Sequence, residues 1–307
     1  MNFASLLEWA AGLGARARRD EPLAPYTAMR VGGPADLLVI CRTTEEVVEA
    51  VERARAAGVP WRVLGGGCNI LISDAGVRGL VVIHRADRTR IEADGAVWAE
   101  AGAPMALLAR ETAACGLAGL EWAAGLPGTV GGAVVGNAGA FGGDIASVLR
   151  RVTLLEPDGE VTERPAEWME FSYRESRIKQ MPHSERPVIL AATFALAPGD
   201  PAALAARIEE ILAWRRTRHP SGATMGSTFK NPPGNHAGRL IEAAGLKGYR
   251  IGGAMVSELH ANFLINTGSA TAADVRALIR HIQAEVERQF GILLEPEVEF
   301  IGGDTEE

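Results

Sequence analysis

The sequence predicts an α+β fold: a first lobe in β-α-β order, a second lobe of hairpins around a helix, and a further α+β domain. Three observations carry this. Apolar strand runs alternate with a helical stripe up to Ile83. Asp-Gly pairs then sit between short alternating runs, as hairpin turns do. Pro198-Gly199-Asp200-Pro201 next breaks the pattern, and helices resume beyond it.

Taken in order, residues 3–11 read as a short amphipathic helix ended by Gly12 and Gly14. Leu37–Cys41 is an apolar strand. Thr43 and Glu46 form a capping box before the stripe Val47, Val48, Val51 and Ala54, which Gly58 ends. Trp61–Leu64 is the next strand, so the β-α-β order implies a parallel pair with a crossover helix. Leu80–Ile83 adds another. Asp94-Gly95 and Asp158-Gly159 mark hairpins, Pro104 opens a helix that Gly116 closes, and Pro187–Leu196 is a strand. Residues 119–143 are rich in glycine and poor in charge, which predicts a long loop approached closely by something else. Beyond the linker, residues 201–216 and Arg239–Ala244 are helical. Asn262–Asn266 is a strand, Thr271–Phe290 a long helix closed by Gly291, and Ile292–Ile301 alternates as a strand. The expected domains are residues 1–197, in lobes of about 1–83 and 84–197, and residues 198–307, with the final strand a candidate to return to the first lobe.

Composition narrows the function. A net charge of -7 argues against a general nucleic-acid binder, which carries a basic face. Cys41, Cys68 and Cys115 form no CxxC pair, and an odd count gives no disulfide framework. The six histidines show no HExxH spacing, so no metal site is expected. The N-terminus lacks a basic region before an apolar run, and no stretch of about 18 apolar residues occurs. These readings together favour the cytoplasm and no membrane association. Lysine stands only at Lys179, Lys230 and Lys247, against an arginine-rich background. A lysine at a motif position then points to a need for a compact ammonium.

Two glycine loops stand out. Gly65-Gly66-Gly67-Cys68-Asn69 directly follows a strand, where successive N–H groups can curl around phosphate oxygens. It matches neither GxGxxG nor the Walker pattern, and a tight turn is an equal reading of it alone. The second loop contains Gly125, Gly128, Thr129, Gly131, Gly132, Gly136, Asn137 and Gly139. Two such loops, one per lobe, predict a long cofactor held by both. Thr27, Met29 and Arg30 before Gly32-Gly33 add a third close-approach segment. A glycine-rich barrel corner is the competing account.

These segments resemble the UDP-N-acetylenolpyruvoylglucosamine reductase family. The resemblance rests on Thr27–Asp36 (TAMRVGGPAD), Val63–Asp74 (VLGGGCNILISD), Gly125–Gly143, Phe171–Arg177 (FSYRESR), Gly226–Pro232 (GSTFKNP), Gly238–Gly248 (GRLIEAAGLKG), His260–Asn266 (HANFLIN) and Leu294–Gly302 (LEPEVEFIG). They keep the family's order across residues 27–302. The resemblance implies an FAD-binding domain of two lobes, of the vanillyl-alcohol oxidase type, plus an α+β substrate-binding domain. It implies non-covalent FAD, NADPH as co-substrate, UDP-N-acetylglucosamine enolpyruvate as substrate, and a place in peptidoglycan precursor synthesis. A monomer or weak oligomer is the expected state. Only about fifty residues separate Tyr173-Arg174 from GSTFKNP, so the chain is similar to the shorter family type without the tyrosine loop. Cys68 stands where the family has serine; a thiol is a weaker hydrogen-bond partner than a hydroxyl.

The expected reaction adds hydride to an enolpyruvyl double bond, which requires donors aimed at the carboxylate as charge builds on it. The family match places Arg174 there, as a side-on carboxylate fork, against the alternative of a surface pair with Glu170 or Glu175. Glu297 is the second donor, held protonated. Alternation puts Glu295, Glu297 and Glu299 on one face, and only the LEPEV match selects Glu297. Ser227 delivers the proton to carbon. Lys230, Asn231 and Tyr173 are expected at the substrate, with Lys230 meeting a nucleotide phosphate or easing the loss of the Ser227 proton. FAD is expected at Arg30, Gly65, Gly66, Gly67, Cys68, Asn69, Gly125, Gly128, Thr129, Gly131, Gly132, Asn137 and Gly139. Tyr249 and Arg250 are weaker candidates for UDP, while Glu258 and His260 read as a local structural pair. The competing functions are another flavin oxidase or dehydrogenase of the same fold, which would lack Arg174, Ser227 and Glu297 in these contexts, and a non-catalytic nucleotide-binding protein.

Overall fold

The structure is a computed structural model that describes residues 3–92 and 94–303. The chain divides into two compact units. The first comprises Met1–Ala17, Leu38–Gly66 and Leu80–Arg215; the second comprises Arg18–Leu37, Gly67–Gly79 and Arg216–Glu307. The division does not fall at the Pro198–Pro201 linker. The helix Pro201–Arg218 starts there, but Leu204, Ile208 and Leu212 pack on the core of the first unit.

In the first unit, Thr43 caps the helix Thr44–Ala56, its hydroxyl accepting from Glu46 N at 3.2 Å. The Glu46 carboxylate also accepts from Arg42 N and from Arg16, each at 2.7 Å. Val47, Ala50, Val51 and Ala54 form the buried stripe. The strand Trp61–Leu64 runs parallel to Val77–His84, with Trp61 opposite Leu80. The crossover pair is not a pair of neighbours, because Val77–His84 lies between Pro34–Cys41 and Trp61–Leu64.

The rest of the first unit is a five-stranded antiparallel sheet. Its order is Val161–Pro165, Leu149–Leu155, Val188–Phe194, Val97–Glu100 and Thr89–Ile91. Both Asp-Gly hairpins are present, with Gly95 at φ 82° and Gly159 at φ 95°, where glycine is unstrained. The 119–143 segment is not a plain loop. It contains the short helix Val130–Val135, which buries Val130, Ala133 and Val134 in the core. That burial offsets the poor helix propensity of Gly131 and Gly132.

In the second unit the helix Ala272–Phe290 presents Val275, Leu278, Ile279, Ile282 and Val286 to a core containing Met29, Leu71, Phe229, Leu240 and Ile241. Thr271 and Asp274 form a complete capping box, and Gly291 ends the helix in the left-handed region at φ 66°. Asp74 adds a second cap, accepting from Ala272 N at 2.8 Å and Ala273 N at 2.9 Å. A small antiparallel sheet joins Arg250–Ile251, Ala254–Val256 and Leu264–Asn266. The expected strand Ile292–Ile301 shrinks to Glu299–Ile301, parallel to Ile70–Ile72. Residues 295–297 pair instead with the 228–230 segment, as an antiparallel bridge with Pro296 opposite Phe229: Lys230 N donates to Glu295 O at 2.9 Å and Glu297 N to Thr228 O at 2.8 Å, so the missing N–H of Pro296 is not needed.

Candidate functional site

Most glycines of the two loops are required by the protein's own packing. A Cβ on Gly65 would stand 2.2 Å from Thr129 Oγ1, and one on Gly131 2.9 Å from Ala101 Cβ. On Gly125 it would meet Arg215, and on Gly139 the Asp144 side chain and the Gly143 carbonyl. In the second unit Gly67 has φ 63° and would meet the Tyr26 carbonyl at 2.1 Å. Gly132 differs: it is exposed, and a Cβ there meets nothing nearer than 3.8 Å. Gly226, at φ 80°, also faces open space. Gly142, at φ 86° in the same loop as Gly132, is likewise open.

Arg174 lies in the first unit at φ 59°, in a turn where Ser172 and Glu175 exchange backbone hydrogen bonds. Its guanidinium donates to the carbonyls of Asn137, at 3.4 Å, and Gly139. It also lies over the Tyr173 ring, 5.2 Å from the centroid, and Tyr173 is 52% exposed. Of the carboxylates expected to compete for Arg174, Glu170 pairs with Arg177 and Glu175 with Lys179. Asn137, buried and itself at φ 40°, donates from Nδ2 to Ser172 O at 2.8 Å and accepts at Oδ1 from Ala146 N at 3.0 Å. Its amide is therefore spent on the turn that carries Arg174.

The second unit holds Ser227, Lys230, Asn231 and Glu297. Ser227 is half-buried and bridges Phe263. Asn262 fastens Phe229, two residues on, from both sides, donating from Nδ2 to Phe229 O at 2.8 Å and accepting at Oδ1 from Phe229 N at 3.0 Å. The buried Lys230 ammonium pairs with Glu295 at 2.6 Å, a partner the sequence reading left as an ordinary strand carboxylate. Asn231 is exposed and its Oδ1 accepts from Ala237 N at 3.0 Å, at the start of the helix Ala237–Ala243. Glu297 is half-buried. Asn69 donates to its carbonyl at 3.1 Å, which ties the first glycine motif to the LEPEV segment. Cys68 is half-buried beside it.

Arg30 is exposed at φ 57°. Asn266 holds its turn by donating to Met29 O at 3.1 Å. Arg30, Asn137 and Arg174 are three of the six positive-φ residues other than glycine among the described residues. Strain of this kind collects at functional sites. His260 does not pair with Glu258: its Nδ1 accepts from Asn262 N at 3.2 Å, while Glu258 lies against Gly248. Burial lowers the His260 pKa, which favours the neutral ring.

Sequence reasoning missed Lys179, Asn262, Asn266 and Glu295. The rarity of lysine was the available signal for Lys179. The two asparagines lie in the HANFLIN segment with nothing in their spacing to mark them.

Residues 35–164 match the family model for an FAD binding domain, and residues 218–301 that for the UDP-N-acetylenolpyruvoylglucosamine reductase C-terminal domain. The UDP-N-acetylenolpyruvoylglucosamine reductase of Chloroflexus aurantiacus is 48% identical over 286 residues, covering 92% of this chain and 96% of the relative. That of Rubrobacter xylanophilus is 46% identical over 287 residues, covering 93% and 95%. The crystal structure of UDP-N-acetylenolpyruvylglucosamine reductase from Thermus caldophilus superposes with a TM-score of 0.80 at 36% identity, covering 94% of this chain and 99% of that one. The open main chain at Gly132 and the strained turns at Arg30 and Asn137 fit an FAD-binding role. No helix among the described residues is long and apolar enough to cross a membrane.

Proposed function

The chain belongs to the UDP-N-acetylenolpyruvoylglucosamine reductase family, and on that premise we propose which of its residues carry the reaction. It is an FAD-dependent oxidoreductase that uses NADPH to reduce the enolpyruvyl ether of UDP-N-acetylglucosamine to UDP-N-acetylmuramate, in peptidoglycan precursor synthesis. The α+β architecture, with an FAD-binding domain and a separate substrate domain, is that of the family.

Bound FAD supplies the two-electron transfer from NADPH to the substrate's double bond. Hydride reaches the methylene carbon, and negative charge spreads over the adjoining carbon and the carboxylate. Arg174 receives that carboxylate side-on through its guanidinium fork. Glu297, protonated, donates a hydrogen bond to the same developing charge. Ser227 then gives its proton to the carbon beside the carboxylate, completing the lactyl ether. Lys230 serves a nucleotide phosphate or eases the loss of the Ser227 proton, and Tyr173 and Asn231 complete substrate binding. FAD is held at Arg30, Gly65, Gly66, Gly67, Cys68, Asn69, Gly125, Gly128, Thr129, Gly131, Gly132, Asn137 and Gly139. Gly132 supplies open main chain, while Asn69 and Asn137 act through the backbone they fasten. FAD binding is assigned to residues 1–197 and substrate binding to residues 198–307, with the helix Pro201–Arg218 packing on the first unit's core. The enzyme works in the cytoplasm as a monomer or weak oligomer.

The observation that carries this assignment is the turn at Arg174. A left-handed arginine is held there, its guanidinium donating to the Asn137 and Gly139 carbonyls. The test is NADPH consumption by the purified yellow protein. It should require UDP-N-acetylglucosamine enolpyruvate. Equal consumption with oxygen as the only acceptor would point instead to a flavin oxidase, and none with either to a binding protein.

A further inference from the structure

Lys179 is one of three lysines in the chain and has no place in the reaction just described. Its ammonium donates to the Arg174 carbonyl at 2.9 Å and lies 3.3 Å from the Glu175 carboxylate. The side chain is 16% exposed, so this contact is largely shielded from water. Lys179 sits in the short helix Arg177–Gln180. The cap of that helix, Ser176, is fully buried and donates from its hydroxyl to Val135 O at 2.6 Å. Asn137 holds the other side of the turn through Ser172 O. The turn is thus fastened before, at and after Arg174, and the group that fastens the Arg174 carbonyl itself is the Lys179 ammonium.

We infer that Lys179 is a positioning residue for Arg174: its ammonium, gripping the Arg174 carbonyl and anchored by Glu175, holds the left-handed backbone that aims the guanidinium at the substrate carboxylate. A residue other than glycine at φ 59° relaxes toward the right-handed or extended regions unless its carbonyl is fixed. An ammonium suits this task, because three tetrahedral donors on a flexible stem can serve a carbonyl and a carboxylate at once. A planar guanidinium at position 179 would be bulkier and directed differently. The inference rests on the role proposed for Arg174.

The experiment compares Arg174→Ala, Lys179→Met, Lys179→Arg and the double variant Arg174→Ala/Lys179→Met, each loaded with FAD. Ligand binding to the oxidised enzymes is read from the flavin absorbance change, with UDP-N-acetylglucosamine enolpyruvate and with UDP-N-acetylglucosamine, which has no carboxylate. Lys179→Met should weaken the enolpyruvyl ligand about tenfold or more while leaving the plain sugar nucleotide and the melting temperature nearly unchanged. Single-turnover consumption of the enolpyruvyl ligand should fall roughly a hundredfold, the scale of a misplaced binding group. Lys179→Arg should recover little. In the Arg174→Ala background, Lys179→Met should have no further effect, since its action passes through Arg174. If Lys179→Met weakens both ligands equally, or adds its full loss on top of Arg174→Ala, the positioning role is wrong. If Lys179→Met fails to fold, Lys179→Arg decides alone: wild-type discrimination between the two ligands would overturn the inference. Should Arg174→Ala itself leave enolpyruvyl binding and turnover intact, the role of Arg174 is what fails.

Discussion

The Lys230 ammonium lies 2.6 Å from the Glu295 carboxylate, with the lysine side chain 10% exposed and that of the glutamate 68%. The cation is therefore shielded while its counterion faces water. A ligand phosphate can take over such a lysine at little cost, because the carboxylate it releases is already solvated. Glu295→Gln should keep the reaction, at some cost in stability because the buried Lys230 ammonium loses its counterion. Lys230→Met should raise the KM for the enolpyruvyl substrate at least about tenfold, roughly 1.4 kcal/mol of lost binding. Steady-state kinetics and melting curves of the two variants check this. Equal effects on KM would show that the pair acts as a structural unit.

Arg174→Lys should not be conservative. The charge remains, but a compact ammonium cannot reproduce the planar bidentate fork. In stopped-flow measurements, reduction by NADPH should be close to wild type and the step that consumes the enolpyruvyl substrate should fall far more. Equal losses in the two would assign Arg174 to structure.

Gly131 and Gly132 adjoin in the helix Val130–Val135 but should respond oppositely to alanine. A Cβ at 131 meets Ala101 Cβ at 2.9 Å, so Gly131→Ala should lower the apoprotein melting temperature. At 132 the nearest atom is 3.8 Å away, so Gly132→Ala should leave the apoprotein unchanged or slightly more stable. If FAD lies against that main chain, Gly132→Ala should still weaken FAD binding, by about tenfold or more (roughly 1.4 kcal/mol). Equilibrium dialysis of apoprotein with FAD tests it, and unchanged affinity would remove Gly132 from the cofactor site.

His84 is 2% exposed, and neither ring nitrogen has a hydrogen-bond partner among the described residues. Burial lowers its pKa from 6.5 to about 4, with Glu100 pulling weakly the other way. Between these values the unfolded chain takes the proton and the folded chain does not. Stability is therefore fully present above pH 6.5 and is lost as pH falls toward 4. The loss from this one group is of order 3 kcal/mol. His84→Leu should flatten that part of the acid limb in urea unfolding measured across the range. An unaltered slope would mean that His84 is not the group responsible.

Much of the fold was legible in the sequence because local signals agreed with it. The Thr271–Phe290 stripe, its cap and Gly291 all pointed to one helix, and the Asp-Gly hairpins formed where expected. The failures share a cause. Ile292–Ile301 alternates like a strand, yet residues 295–297 pair as an isolated antiparallel bridge with the 228–230 segment, Phe229 opposite Pro296, and only Glu299–Ile301 joins Ile70–Ile72. The crossover pair was inferred from order alone, and order does not reveal that Val77–His84 inserts between the two strands. At the site, sequence could mark chemistry but not fastening. Asn69, Asn137 and Asn262 owe their places to backbone groups distant in sequence, and glycines that read as room for a ligand mostly make room for the protein's own atoms.

The most direct test of the central claim is anaerobic stopped-flow on Ser227→Ala. Reduction by NADPH calls on no proton donor at the sugar, so that phase should stay nearly intact. Consumption of the enolpyruvyl substrate needs a proton at the carbon beside the carboxylate, and that phase should slow by at least about a hundredfold, roughly 3 kcal/mol in the barrier. Ser227→Cys, which keeps a donor, should be damaged less. A Ser227→Ala enzyme that consumes the substrate at the wild-type rate would contradict the account and leave Glu297 as the next residue to examine.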